Sequence, residues 1–374
     1  MTGDMVQIHM LTSYPATLLN RDDAGLAKRV PFGGVLRTRV SSQCLKKHWR
    51  EASELLELGP VADRSTRIYE VRVARPLIED HGAAEEEATA IAKRLMGLVD
   101  TKAEKKDEPL QTGQLLVLTR AETEFLAEIG VEMLAEVRDK GIDVTKPKAL
   151  DKMEALDKDL KKRIAELPAS IDTALFGRMV TSDNFARVDA AVSVAHALTT
   201  HEEAAETDYF TAVDTLKTAG DDAGAGLIQD TELTSGVFYL YAVIDMNQLR
   251  DNLGSAAVGA EQLARSLVRV MATKSPGAKK GSTAPYAYAE LALLERGVAQ
   301  PRTLANAFRE PISGRGTDLM AMSVARLLEY RTRLEGMYGE SGGAVALSTI
   351  HTSASNGFDP VPFQAALDAV FEEG

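Results

Sequence analysis

The sequence holds one cysteine in 374 residues, Cys44. That excludes an internal disulfide and any cysteine-rich zinc site, and it fits a reducing cytosol. No charged segment followed by an apolar run is present near the start, so no secretory leader and a cytoplasmic location are expected. Long hydrophobic runs are missing. The longest near-continuous one, Gly236–Ile244 (GVFYLYAVI), falls far short of the roughly 20 residues of a membrane helix and reads as a buried strand, so no membrane partner is expected. No fixed-period repeat is visible. No G-x-x-x-x-G-K-[ST] phosphate loop occurs, and the glycine-rich Gly220–Gly226 (GDDAGAG) lacks the strand-to-helix setting of a dinucleotide site. His196 and His201 stand five apart, which does not bring both to one helical face as H-E-x-x-H does. Asp22 and Asp23 are adjacent and point apart in a strand, so they suit a turn or cap better than a shared cation. No metal and no cofactor are therefore expected. Cys44 has cations around it but no partner histidine in view, and reads as a structural thiol.

Net positive charge is also lacking. The chain carries 43 Lys+Arg against 55 Asp+Glu, a formal −12, which argues against indiscriminate nucleic-acid binding over the whole surface. Against that background one window stands out. Arg21 to Arg50 holds eight basic residues (Arg21, Lys28, Arg29, Arg37, Arg39, Lys46, Lys47, Arg50) and two acids. Val35–Val40 alternates as a strand, with Leu36, Thr38 and Val40 on one face and Arg37 and Arg39 on the other. Ser41-Ser42 offers an N-cap. A helix over about 43–58 would bury Leu45, Trp49, Leu55 and Leu56. It would crowd Lys46, Lys47 and Arg50 on one face by their spacings of three and four. Strand and helix thus present five cations from one small unit. Like charges that close repel, and an anionic partner is the simplest compensation.

Around this unit the pattern is α+β. Val6–Thr12 is a first strand, ended at Tyr14-Pro15, and Pro31–Gly34 is a turn. Residues from about 82 to 167 read as helical and nearly free of aromatics, with a mobile polar loop at Thr101–Glu108. Lys146–Arg163, with seven basic and four acidic residues, is a further helical stretch. A glycine-containing loop follows at Phe176–Phe185, and Val188–Thr199 returns to an apolar pattern. Glu202–Thr234 is polar, acidic and long for a connection, which marks it as functional or disordered. Gly236–Asp245 and Gly343–Ile350 read as strands, Gln262–Thr273 and Asp318–Met337 as amphipathic helices.

Eight segments, in order between residue 5 and about 310, carry a resemblance. They are NRDD (Asn20–Asp23), FGG (Phe32–Gly34), R-x-R-V-S-S-Q-x-L-K-K (Arg37–Lys47), GRMVTS (Gly177–Ser182), VDAAVSVAHALTTH (Val188–His201), DYFTAVDTL (Asp208–Leu216), SGVFYLYAVI (Ser235–Ile244) and PGAK (Pro276–Lys279). Together they resemble the CasC family of the RAMP superfamily, the backbone subunit of the type I-E CRISPR Cascade complex. The resemblance implies an RRM-like, ferredoxin-like palm (1–60, 188–201, 235–374) with a mostly helical finger insertion (61–187) and a long thumb loop (202–234). It implies a ribonucleoprotein for antiviral defence, in which copies stack head to tail as a helical filament along CRISPR RNA. The guide is displayed for pairing with target DNA, and the thumb displaces bases at intervals. The other implied partners are further Cascade subunits and a recruited helicase-nuclease. The subunit itself has no catalytic residue. A guide carrier must be blind to sequence, since base pairing supplies the specificity, so a basic groove with a few apolar stacking groups is the expected footprint.

The resemblance assigns Arg21 to guide phosphate; the alternative is pairing with Asp22 or Asp23. Lys28, Arg37 and Arg39 would line the same groove; the alternative is a solvated edge strand. Ser41 and Gln43 would bind phosphate or sugar, unless Ser41 or Ser42 caps the helix. Lys46, Lys47 and Arg50 are the strongest phosphate candidates, beside a helix N-terminus. Some relatives carry basic residues where this chain has Val35 and Leu36. Met179 would wedge beside a displaced base, or else be core. Tyr209, Phe210, Thr211 and Val213 match the thumb tip, where an apolar cluster in an acidic loop needs an outside partner. Lys279 and its neighbour Lys280 add phosphate contacts or form an ordinary exposed pair. The Lys146–Arg163 stretch would touch duplex DNA or be a solvated face. Two other functions stay open on sequence alone. One is a CRISPR RNA-processing endoribonuclease on a related ferredoxin-like scaffold, using His48 as general base. The other is a protein scaffold whose basic patch meets an acidic partner.

Overall fold

The computed structural model describes residues 3–99, 104–105, 108–146, 148–151, 153–156, 160–178, 187–212, 227–254, 258–314, 316, 318–339, 342–355 and 357–371. Among them the chain forms two compact units. One comprises Met1–Leu55, Val192–Met246 and Glu261–Gly374, the other Leu56–Ala191 and Asn247–Ala260. Helices and antiparallel sheet are both present, so the class is α+β.

The first unit is built on a sheet of nine described strands: β1 (Met5–Thr17), β2 (Arg29–Phe32), β3 (Val35–Val40), β4 (Val192–Val194), β5 (Ala197–Thr199), β6 (Ala205–Ala212), β7 (Leu227–Asp245), β8 (Leu291–Gly297) and β9 (Ala344–Thr349). The order is β9-β8-β1-β7-β5-β3-β2, with β4 and β6 also pairing with β7. The central strand β1 buries both its faces. Val6, Ile8 and Met10 lie on one, Gln7, His9 and Leu11 on the other, all at most 4% exposed. Leu11 clusters with Leu291, Leu293, Val237 and Tyr239, and with Met320, Val324, Leu327 and Leu328 of the helix Leu319–Tyr338. Asp318 caps that helix by accepting from the Met320 and Ala321 amides at 3.0 Å.

Several polar groups buried on this face form a chain. The Leu304 amide donates to the Tyr239 hydroxyl (3.0 Å), which donates to His9 Nδ1 (2.8 Å). His9 Nε2 then faces Glu295 Oε2 at 3.4 Å, and Arg331 Nε donates to Glu295 Oε1 at 2.8 Å. Burial opposes ionisation of Glu295, but His9, Arg331 and Arg302 outweigh it and hold its pKa down to about 2.

Several local expectations change. β1 runs through Pro15, because its register with β7 shifts between Tyr14 and Thr17 and Ala16 turns to φ 43°. A proline inside a bulge removes no ladder hydrogen bond. Gly33 and Gly34, at φ 66° and 85°, make the two-residue turn between β2 and β3. A Cβ on Gly33 would lie 1.6 Å from the Arg309 carbonyl oxygen, so this glycine also serves close approach. The expected helix from Gln43 is two pieces, α1 (Ser42–Arg50) and α2 (Ser53–Leu56). Ala52 turns its amide onto the Trp49 carbonyl at the break, and Leu56 ends 45% exposed instead of buried. The acidic segment expected as a loop is a β-ribbon where it is described. β6 pairs with β7 from Ala205↔Thr234 to Ala212↔Leu227.

In the second unit, helices Arg75–Glu79, Glu85–Val99 and Arg120–Lys140 share a core of Ile68, Val73, Leu77, Ile91, Leu95, Leu126, Ile129 and Met133. Thr119 and Glu122 form a capping box at the start of Arg120–Lys140, and Gly141 ends it at φ 58°. Within the polar run 101–108, Glu104–Lys105 pairs with Glu108–Thr112; the rest lies outside the described residues. Lys146–Arg163 shows turns and the start of the helix Leu160–Ala165, with 147, 152 and 157–159 outside them. No described helix is long and apolar enough to cross a membrane.

Candidate nucleic-acid interface

The basic window folds into one wall of a groove. Its floor is organised by Asn20, whose side-chain oxygen accepts from the Ser41 amide (2.9 Å) and whose carbonyl accepts from the Lys28 amide (2.9 Å). Asp22 Oδ1 accepts from the Ala24 and Leu26 amides, both at 2.9 Å, and so shapes the loop that carries Arg21. The Ala278 amide donates to the Leu18 carbonyl at 2.9 Å and brings in a loop from 260 positions away. These three segments enclose an open cavity of about 750 Å³, lined by Arg21, Gln43, Lys47, His48 and Ala278 among others.

Helix α1 presents its cations in order. At about 100° per residue, Lys46, Arg50, Gln43 and Lys47 occupy an outward arc of about 100°. Leu45 and Trp49 face the core. Gln43 and Lys47 belong to the cavity lining, and Lys46 and Arg50 continue the same face beyond it. Burial and then the neighbouring Arg50 push the Lys46 ammonium below its usual pKa. Burial raises the Cys44 thiol while Lys47, Lys28 and Lys280 oppose it, and burial lowers His196 with Arg39 and Lys28 adding to the effect. These mutual influences tie Arg39, Lys28, Lys47 and Lys280 into one positive region. Arg39 donates to His196 Nδ1 (3.3 Å) and to the Arg29 carbonyl (3.3 Å).

Arg37 is the clear correction. It is fully buried, and its guanidinium donates to the carbonyls of Phe32 (3.2 Å), Thr199 (3.1 Å) and Phe308 (2.8 Å). The alternation put it on the face of Arg39, as expected, but the Ala305–Phe308 turn covers that position. Leu36, on the opposite face, is 49% exposed. Ser41 is also spent locally: its hydroxyl accepts from the Cys44 amide at 3.2 Å and caps α1. Lys279 points to β7, donating to Thr231 Oγ1 at 2.7 Å. Tyr209 stands on β6 opposite Asp230, 62% exposed. Phe210 and Thr211 lie on the same strand, with side chains outside the described residues. Met179 and Val213 lie outside the described residues altogether. Of the motif around Met179, Arg178 is buried against Glu122.

Three features escaped the sequence reading. His48 stands one turn from Cys44, with Nδ1 at 2.9 Å from the Cys44 carbonyl and 3.8 Å from its sulfur. The spacing of four was the available signal. Asn20 organises the groove floor. Arg29, counted among the cations, is held by Glu203 and Glu232.

An α+β protein with a cationic groove assembled from three distant segments has the build of a polyanion seat. The chain belongs to the CT1975-like protein family, which it matches over residues 6–373. It is similar to a chain of a solved "CRISPR RNA-guided surveillance complex, pre-nicking", with a TM-score of 0.79 and 28% identity over 98% of both chains. It is also similar to a chain of a "CRISPR RNA-guided surveillance complex", with a TM-score of 0.73 and 25% identity over 98% of both. No curated protein is a significant match to its sequence.

Proposed function

We propose that the protein is the non-catalytic, CRISPR RNA-binding backbone subunit of a type I-E Cascade complex. The antiparallel sheet of the first unit serves as an RRM-like, ferredoxin-like palm, the helical unit as the finger, and the β6–β7 ribbon as the thumb. Copies stack head to tail along the guide, which pairs with target DNA. Further Cascade subunits and a recruited helicase-nuclease complete the defence. The observation that carries this reading is the convergence of NRDD, the start of α1 and PGAK on one groove. Point charges and amides in such a groove hold phosphates without reading bases, as a guide carrier requires. The repulsion between Lys46 and Arg50 is relieved by a phosphate strand crossing α1. Expression with guide RNA and partner subunits is expected to yield an assembly containing RNA of defined length. Protein that remains free of RNA and unassembled under those conditions contradicts the proposal.

One observation keeps the endoribonuclease reading in play. The Cys44 carbonyl can only accept, so His48 carries its proton on Nδ1 and leaves Nε2 as a base beside the groove. Metal-free cleavage of a CRISPR repeat RNA, lost in His48→Ala, favours that reading. Intact RNA after incubation removes it.

A further inference from the structure

Arg29, a cation of the basic window, lies between two carboxylates. Its Nε donates to Glu203 and its Nη2 to Glu232. The second Glu232 oxygen accepts from the Ala27 amide at 2.7 Å. Glu203 lies two residues before β6 and Glu232 lies on β7, so the pair marks the root of the ribbon. Ala27 and Arg29 flank Lys28 in the loop that also carries Arg21. Two further bonds tie the ribbon to other neighbours: the Glu203 amide donates to the Leu36 carbonyl of β3 (2.9 Å), and Lys279 Nζ donates to Thr231 Oγ1 (2.7 Å). The two glutamates are only 13% and 10% exposed at their side chains, against 27% for Arg29. Such geometry suits a forked guanidinium and not a single ammonium.

We propose that Arg29 is a positioning residue that locks the β6–β7 ribbon to the Arg21–Lys28 loop, and that it binds no phosphate. This rests on the RNA-carrier reading. The clamp fixes where the ribbon's apolar side chains, such as Tyr209, stand relative to the phosphate groove.

The test compares wild type, Arg29→Gln, Arg29→Lys and Glu232→Gln in the assembled complex with guide RNA. Three readouts are needed: the salt dependence of guide binding, hydrogen exchange of the 205–212 amides, and the permanganate reactivity pattern of the target strand. Arg29→Gln is expected to leave the salt slope unchanged, to speed exchange at 205–212 on the order of ten-fold, and to blur the reactivity pattern. Glu232→Gln, which keeps the arginine, should do the same more weakly, and Arg29→Lys should restore charge but not protection. A slope made shallower by about 0.7 in Arg29→Gln identifies a phosphate contact and overturns the proposal. So does unchanged exchange in both Arg29→Gln and Glu232→Gln. If wild type binds no RNA, the carrier reading fails while the exchange arm still judges the clamp.

Discussion

Replacing Lys46, Lys47 and Arg50 together by alanine removes the cations of the outward face of α1. Alanine is the best helix former, so the backbone has no reason to unwind. Lys47 has one acidic neighbour, Glu51 at 3.9 Å, with both side chains more than 60% exposed, a pair worth about 0.3–0.5 kcal/mol. Lys46 is held below its usual pKa by burial and by Arg50, so its removal relieves an unfavourable interaction. For the two lysines the folding cost is thus small, and circular dichroism separates any loss of fold at Arg50 from the electrostatic effect. Each phosphate contact on a single strand contributes about −0.7 to the slope of log affinity against log salt. Three contacts make the slope shallower by about 2.1, and the affinity lost between about 50 and 200 mM salt shrinks about 20-fold. Fluorescence anisotropy with guide RNA over a salt series reads this directly. A slope within about 0.5 of wild type, with the fold intact by circular dichroism, refutes the reasoning: these cations would then face something other than RNA.

Arg37→Ala should cost about 3–5 kcal/mol in urea unfolding, because three buried carbonyls lose a charged donor, and should leave the salt slope alone. Gly33→Ala should destabilise far more than Gly34→Ala, as only the former meets a backbone oxygen; thermal melts of both check it. Stability should fall as pH drops from 7 to 5. His9, His196 and His201 all have lowered pKa values, chiefly through burial, so the unfolded chain binds protons first and their contribution is lost below its ordinary value of 6.5. Glu295 contributes stability that is fully present above its ordinary 4.5 and is lost as pH falls to about 2. Urea midpoints across pH 2–8 measure both.

Much of the groove was legible because it rests on local rules. The N-cap of α1, the spacing of Lys46, Lys47 and Arg50, and the turn at Gly33-Gly34 are all set by neighbours in sequence. What was missed depends on distant partners. The alternation along β3 put Arg37 on the face of Arg39, but only the arrival of Phe308, 271 positions on, buries it. Arg29 counted as one more free cation until Glu203 and Glu232 came to it from the ribbon. Pro15 looked like a strand end because a bulge against β7 cannot be read from β1 alone. The acidic ribbon read as a loop since polar composition hides a ladder made between two segments.

The decisive point is where RNA touches the chain. Ultraviolet cross-linking of a thiouridine-labelled guide in the purified assembly, followed by peptide mapping, should place cross-links in 20–28, 43–50 and 277–280 together. RNA-free particles, or cross-links confined to other segments, contradict it.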